Sequence, residues 1–423
     1  MMKPIAGVLI LGLWLADLAH LYLGCSLWPA AGLAWSAALL LGPRLDAAAR
    51  RQCFVLYLSA LLLLAVAWSQ GARLAAATLF LPNVDMVTLF AAVSCLNLAT
   101  GTLAQNQGSW RGWKGVWGTL LGVNLLGAVI NMSVLFVVGD RLARHGMLER
   151  RQVIMLSRIY CSAAFWSPFF IAMAVAVTYA PGMIFTHLLP FGLLGSVAAM
   201  LLTALEVRKL GVEDFEGYPL RLQTLLLPGL LALAVILGRL LWPALSIIGI
   251  ISLAAPLISL LLMPKQNMPL ALRRQVTERF PAMGSQIVLF LGAGLLAAGI
   301  NGLTQVWSPA PLLAMFHHFG VLEATLTVAL ILLIAYFGVH PIITISSLAP
   351  LLWHLKPDPT LLGMSFLLGW GLSTGATPLS GANLALLACY RVRARDLLVW
   401  NLTYAGQMLL VCAGLFVLYV ELF

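Results

Sequence analysis

Residues 117–138, WGTLLGVNLLGAVINMSVLFVV, form a largely apolar stretch that contains the triplet Asn131-Met132-Ser133. Basic residues flank this stretch on both sides: Arg111 and Lys114 precede it, and Arg141, Arg144, Arg150 and Arg151 follow it. Because Lys and Arg accumulate on the cytoplasmic side of a membrane, one straight crossing would leave one basic group outside. We therefore predict a re-entrant hairpin over 117–150 that enters from the cytoplasm and returns there. Its non-helical tip would be stable only inside protein or against a water-filled cavity.

The composition indicates a membrane protein along the whole chain. Of the 423 residues, 62% are hydrophobic and 9% are charged, whereas a soluble domain carries about 25% charged residues. The formal net charge is +10, but the basic residues lie in short loops and form no basic helix face, so nucleic-acid binding is not expected. The six cysteines form no CxxC pair, and we predict no metal site from them.

Apolar segments of about 20 residues are candidate membrane spans. They are 5–23, 26–41, 53–69, 86–104, 117–138, 153–179, 184–206, 222–239, 243–263, 285–303, 320–352, 360–390 and 396–422. Segment 320–352 is too long for one crossing and contains Gly, Pro and polar residues, so it is predicted to be a second hairpin. The resulting fold class is an all-α polytopic membrane protein with about 11 crossings and two re-entrant hairpins. Its N-terminus is expected in the cytoplasm and its C-terminus in the periplasm.

The first segment, 1–25, resembles a signal peptide at first sight. Asp17 and His20 interrupt its apolar core, and further spans follow at once. We therefore predict an extra N-terminal transmembrane helix.

The rest of the chain divides into two similar halves. The predicted domains are a first repeat at 26–206 with hairpin 117–150, a cytoplasmic linker at 207–221 that forms an interfacial helix, and a second repeat at 222–423 with hairpin 320–352. The stretch LLGAVINMS at 125–133 matches LIAYFGVHP at 333–341, and SAAFWSP at 162–168 matches STGATP at 373–378. The first copy starts outside and the second inside, so the repeats are expected to have inverted topology. Interrupted apolar segments at matching positions indicate a transporter's midplane site.

At these residues the chain resembles the ion transporter superfamily, which includes divalent-anion/sodium symporters, arsenite pumps and TRAP-type large permease subunits. The triplet Asn131-Met132-Ser133 is similar to the arsenite pump's asparagine-containing tip and differs from the Ser-Asn-Thr tip of the anion symporters. The stretch 375–383 resembles the family's second broken loop, and Ser167-Pro168 is its counterpart in the first half. The tip at 338–341 has no asparagine. The resemblance implies a homodimer whose transport domain moves in an elevator-like manner.

The candidate site residues surround the two tips and the two breaks. They are Asn131, Met132, Ser133, Ser167, Pro168, His340, Pro341, Thr344, Thr377, Pro378, Ser380 and Asn383. The prolines remove backbone donors and interrupt helices, and the freed carbonyls and helix N-termini can bind cations and anions respectively. His340 could bind an anion or carry a proton, or be a structural histidine. Arg158 could counter a substrate carboxylate, or extend its charge to the membrane surface.

We therefore expect a secondary transporter in a bacterial-type inner membrane that moves a small, anionic organic solute. Na⁺ and H⁺ are the candidate coupling ions, and no other cofactor is predicted. The chain is not expected to be an enzyme, and its expected partners are the solute, the bilayer and a second copy of itself. Two alternatives stay open: a lipid- or glycan-handling membrane enzyme or flippase, and a membrane subunit of a multi-component permease.

Overall fold

The computed structural model describes residues 2–98, 108–220, 226–242, 245–263, 268–309, 316 and 318–423. Its helices are α1 (Met2–Leu23), α2 (Trp28–Leu41), α3 (Ala47–Ser69), α4 (Ala76–Phe80), α5 (Val84–Ser94), α6 (Gly112–Ile130), α7 (Ser133–Leu142), α8 (Arg150–Ser162), α9 (Ile171–Tyr179), α10 (Phe185–Leu210), α11 (Leu226–Leu241), α12 (Ile247–Leu262), α13 (Met268–Arg274), α14 (Phe280–Ala282), α15 (Gly284–Val306), α16 (Val321–Tyr336), α17 (Pro341–Leu352), α18 (Pro359–Ala376), α19 (Gly381–Tyr390) and α20 (Ala394–Leu422). Two short strands, β1 (Trp110–Arg111) and β2 (Glu216–Gly217), pair antiparallel.

The helices carry apolar side chains on their outer surfaces, as lipid contact requires. Leu61 and Leu62 on α3 are more than half exposed, and Leu410 on α20 is 75% exposed. Seven helices in the described part of the chain are long and apolar enough to cross a membrane, and further shorter apolar helices accompany them. The chain is therefore a multi-pass helical membrane protein.

Contacts divide the chain into two compact units, each drawn from both predicted halves. The first unit comprises 1–101, 229–315 and 346–354, and the second comprises 102–228, 316–345 and 355–423. The end of the predicted span 86–104 and the start of the predicted second repeat at 222 lie outside the described residues.

In the second unit, residues 112–142 form two helices that contact each other, α6 and α7, joined at Asn131 and Met132. Both ends of this helix pair lie against the same segment. Glu216 on β2 bonds to Arg111, just before α6, at 2.6 Å, and lies 3.5 Å from Arg144, just after α7. The chain therefore leaves and returns to the same end of the unit, as a hairpin must.

Ion pairs on the 211–217 segment hold this end together. Hydrogen bonds and the positive charge of Arg151 lower the pKa of Asp214 to about 2. Arg111, and to a lesser degree Arg144, lower the pKa of Glu216. Because these folded-state pKa values lie below the ordinary ones, both carboxylates stay ionised at a pH where a free carboxyl is protonated. The ion pairs are lost only as the pH falls through the lowered pKa values.

The prediction of an interfacial helix in the linker 207–221 is wrong over the described residues. Helix α10 continues to Leu210, and 211–220 is a loop that contains only strand β2. Gly211, at φ +99°, ends α10. Two acidic residues of the segment form ion pairs in this loop: Glu216 with Arg111 and Arg144 at the ends of the helix pair, and Asp214 with Arg151 on α8.

The other interrupted segments break close to the predicted positions. In 153–179, α8 ends at Ser162 and α9 begins at Ile171; in 360–390, α18 ends at Ala376 and α19 begins at Gly381. Segment 320–352 is divided into α16 and α17 by a turn at 337–340. The first five residues of α17 belong to the second unit and the rest to the first unit.

Two glycines allow α18 to pack tightly against α8 and the turn that follows it. A Cβ added at Gly371 would lie 2.5 Å from a ring carbon of Phe165 and 2.6 Å from the carbonyl oxygen of Cys161. A Cβ at Gly375 would lie 3.1 Å from the Cβ of Cys161. The backbones of the interrupted segments 153–179 and 360–390 are therefore in close contact.

We predict that Gly371→Val lowers the free energy of unfolding by about 1–3 kcal/mol, because the backbone carbonyl of Cys161 cannot move aside as a flexible side chain could. The measurement is thermal unfolding of the detergent-purified protein. The control is Gly406→Ala on α20, where an added Cβ meets nothing within 4 Å and alanine favours the helix. Equal stability of Gly371→Val and the wild type would contradict the close crossing.

Candidate functional site

All twelve predicted site residues, and Arg158, lie in the second unit. They fall at the α6–α7 tip, the turn before α17 and its first residues, and the two breaks. No hydrogen bond among the described residues joins Asn131 to Thr344 or Asn383. These three residues are linked to one another through the helices on which they lie.

The two breaks have the same local structure. Ser167 donates its hydroxyl to the carbonyl of Ala128 on α6 at 2.6 Å and accepts the backbone N–H of Phe169 at 3.2 Å. Thr377 donates to the carbonyl of Ala335 on α16 at 3.2 Å and accepts the N–H of Leu379 at 3.3 Å.

Pro168 and Pro378 lie at the centre of these two turns and have no N–H to offer. Both prolines are buried. The carbonyls of Ala128 and Ala335 are among the last four of their helices, which lack helical partners. Each hydroxyl therefore bonds to a helix end and stabilises the turn beyond its proline; the Ala335 carbonyl also accepts the N–H of Gly338 at 2.9 Å.

The α6–α7 tip is strained at Asn131. Its backbone has φ 51° and ψ −142°, a region almost confined to glycine that costs of order 1–3 kcal/mol for other residues. Its side-chain oxygen Oδ1 is buried and has no hydrogen-bond partner. Met132 follows as a half-buried residue, and Ser133, also half-buried, begins α7.

The second break holds Asn383 at the start of α19. Its Nδ2 donates to the carbonyls of Thr374, Gly375 and Thr377 at 2.8–3.2 Å. Ser380 is the N-cap of α19, because its hydroxyl accepts the N–H of Asn383 at 3.2 Å. The Oδ1 atom of the fully buried Asn383 has no partner. The hydrogen bonds of Nδ2 thus fix the orientation of the Asn383 side-chain amide, and its Oδ1 remains as an acceptor without a partner.

The turn before α17 is organised by His340. Its ring lies edge-on to Trp370 of α18, with 5.0 Å between the ring centroids. Its Nδ1 accepts the N–H of Ile342 at 3.3 Å. Pro341 begins α17, where its missing N–H removes no helical bond. One turn further, Thr344 is 4% exposed and its hydroxyl has no partner.

A buried polar network that the sequence did not reveal joins α6 to its neighbours. Asn124 donates to the hydroxyls of Ser162 and Ser196 at 3.0 and 2.9 Å, and its Oδ1 accepts the indole N–H of Trp166 at 3.2 Å. An asparagine within an otherwise apolar span was the available signal. It holds the hairpin to the first break and to α10.

Arg158 is only 1% exposed, so the expectation that it extends its charge to the membrane surface is wrong. It donates to Asn401 Oδ1 at 2.7 Å, to Glu206 Oε2 at 2.7 Å and to the carbonyl of Trp400 at 2.6 Å. The ring of Tyr404 lies 4.5 Å from its guanidinium carbon. Glu206 thus neutralises the charge of Arg158, and Asn401 and Trp400 accept further hydrogen bonds from its guanidinium.

The open atoms of the candidate site are two amide oxygens, which accept, and one hydroxyl, which can accept or donate. Asn131 Oδ1, Thr344 Oγ1 and Asn383 Oδ1 are buried and unpartnered, and most buried polar side-chain atoms do have a partner. Neutral oxygens are suitable ligands for Na⁺, whereas an anion requires donors. The N-termini of α7, α9, α17 and α19 lie at these interruptions, and each carries the positive end of a helix dipole.

Comparison of the fold with solved structures finds a similar chain. The crystal structure of the Alcanivorax borkumensis YdaH transporter, described as revealing an unusual topology, matches with a TM-score of 0.57 and 16% sequence identity. The match covers 88% of this chain and 98% of that chain. No family model matches the sequence, and no curated protein matches it. The fold of this chain is therefore similar to that of this transporter.

We predict that Glu206→Gln lowers the free energy of unfolding by on the order of 2 kcal/mol, because it leaves the buried Arg158 charge without its counter-ion. Removal of one partner from a fully buried pair typically costs about 3–5 kcal/mol, and we expect less because the Glu206 side chain is 24% exposed. Arg158→Lys should also destabilise, since one ammonium cannot reproduce the fork of donors. Thermal unfolding checks both, with the exposed Glu213→Gln as control. Undiminished stability of Arg158→Lys would contradict this structural role.

Proposed function

We propose that this protein is an inner-membrane secondary transporter of a small, anionic organic solute. The observation that carries the proposal is the set of three buried, unpartnered oxygens at the α6–α7 tip, on α17 and at the second break, all within one compact unit. Buried polar groups are costly to leave unsatisfied. Their presence at helix interruptions is what a binding site for a transported species requires.

The solute is inferred to be anionic from the helix ends. Four helices begin at the interruptions, at Ser133, Ile171, Pro341 and Gly381. The N-terminus of a helix carries about half a positive charge, so each of these helix ends attracts a negative group. Arg158 supplies no counter-charge in this proposal, because its guanidinium is held by Glu206 and Asn401.

The coupling ion is inferred to be Na⁺ from the acceptors. Asn131, Thr344 and Asn383 offer neutral oxygens, which suit a cation that neutralises part of the solute's charge. His340 holds its Nδ1 as an acceptor for Ile342, so it serves the turn structurally in this proposal. A proton remains the alternative coupling ion, and the uptake experiment below separates the two.

We further propose inverted repeats, a homodimer and an elevator-like movement, with the N-terminus in the cytoplasm and the C-terminus in the periplasm. The matching turns at Ser167 and Thr377 support the repeats, and the positions of the basic residues support the orientation. The homodimer and the elevator-like movement are inferred from the resemblance to the ion transporter superfamily.

Two alternatives remain. The first, a lipid- or glycan-handling enzyme or flippase, would need a catalytic group, and we assign none among the described residues of the proposed site. A multi-component permease would be indicated by a co-purifying subunit.

The experiment that tests the function is a screen of small organic anions by thermal shift on the purified protein, with NaCl or choline chloride. The best ligand is then tested for uptake into proteoliposomes under imposed Na⁺ and pH gradients. We expect uptake driven by an inward Na⁺ gradient. Uptake that follows only the pH gradient would identify H⁺ as the coupling ion. Hydrolysis or modification of the ligand, or no uptake of any stabilising anion, would contradict the proposed transport.

We predict that Asn131→Gly separates stability from function. Glycine adopts positive φ without strain, so the free energy of unfolding should rise by about 1 kcal/mol. Uptake should fall about tenfold or more, the loss expected for one strong contact of ~1.4 kcal/mol. The control is His145→Gly, at φ 51° in the exposed loop after α7, which should leave uptake unchanged. Full uptake by Asn131→Gly would remove Asn131 from the site.

A further inference from the structure

A second set of unpartnered oxygens lies in the first unit, on helices α1 and α5. Asp17 on α1 is 0% exposed, and neither of its carboxylate oxygens has a hydrogen-bond partner. Thr88 on α5 is also 0% exposed, and its hydroxyl is unpartnered. An isolated carboxylate is costly in an apolar interior unless a positive charge compensates it.

The two helices bring further charge to this position. Helices α1 and α5 contact each other, and Asp85 precedes Thr88 by three residues, so both lie on one face of α5. Asp85 and His20 act on Asp17 through their charges, and Thr88 acts on it through its side-chain hydroxyl. The Nδ1 of His20 lies 2.6 Å from the carbonyl oxygen of Cys25, so it must donate there and offers Asp17 no hydrogen bond through that nitrogen.

Among the residues that the structure describes, the remaining helices that pack on α1 supply no compensating cation near Asp17. Helices α2 and α12, which also pack on α1, contain no charged residue. On either side of Asp17, Trp14 and Tyr22 donate to the α12 carbonyls of Ser252 and Gly249 at 2.9 and 3.2 Å. The basic residues of 273–279 belong to the segment that packs near Gly7, about three turns from Asp17 along α1.

We propose that Asp17 and Thr88, with Asp85 beside them, form a binding site for a small monovalent cation in the first unit. The site offers two carboxylates and one hydroxyl from two helices, which are hard oxygen ligands. Na⁺ and H⁺ share the required chemistry, since either one neutralises the buried carboxylate. This site is separate from the hairpin and break residues, and its occupancy needs no organic solute.

The test uses the full-length protein in detergent and measures its melting temperature. One series replaces choline chloride by NaCl at constant ionic strength and constant pH, and the other lowers the pH in choline chloride. We expect the wild type to gain a few degrees, of the order produced by binding a ligand well above its Kd, in at least one series. Asp17→Asn should lose this gain, because a neutral amide needs no cation, and Thr88→Val should reduce it.

The matched control is Asp46→Asn, the same substitution at the exposed N-cap of α3, where asparagine caps equally well. A response to NaCl that Asp17→Asn removes identifies a sodium site, and a response to acid that it removes identifies a proton site. An Asp17→Asn protein that keeps the wild-type response in both series overturns the proposal, as does a wild type without either response. Asn131→Gly in the same assay reports on the proposed transport site, so failure of one site is distinguished from failure of the other.

Discussion

The structure of the second unit depends on keeping interrupted helices satisfied without water. Wherever a helix stops inside an apolar environment, its last carbonyls and the next helix's first N–H groups lose their partners. Ser167 and Thr377 meet this demand in the same way. Each hydroxyl donates to the end of a neighbouring helix and accepts an N–H beyond a proline. The breaks are therefore attached to α6 and α16.

Close packing and buried polar networks then hold these broken segments in place. Gly371 and Gly375 let the α18 backbone approach α8, and Asn401 accepts from Arg158 and donates to the carbonyl of Gly375. Asn124 performs the corresponding task around the first break. Such networks stabilise a fold only when nearly every member is satisfied. In the networks around Asn124 and Arg158, most polar atoms have a hydrogen-bond partner.

The exceptions are informative because of this background. Asn131, Thr344 and Asn383 keep buried oxygens without partners, and Asn131 also holds a backbone conformation that glycine would adopt more easily. Asp17 and Thr88 are among the corresponding exceptions in the first unit. Unsatisfied groups and strain persist where the surrounding structure imposes them, and such places are often functional. The two proposed sites follow from this one argument.

The sequence by itself determined the membrane class and the segments that break, because hydrophobic length and proline act locally along the chain. It placed the breaks at Ser167-Pro168 and Thr377-Pro378, since proline removes a helical hydrogen bond and favours an interruption there. Only the tertiary structure decided which groups Arg158 and Asn124 bind. A buried polar residue is structural or functional according to its partners, and those partners lie up to 243 residues away in the chain, where no local pattern can reveal them.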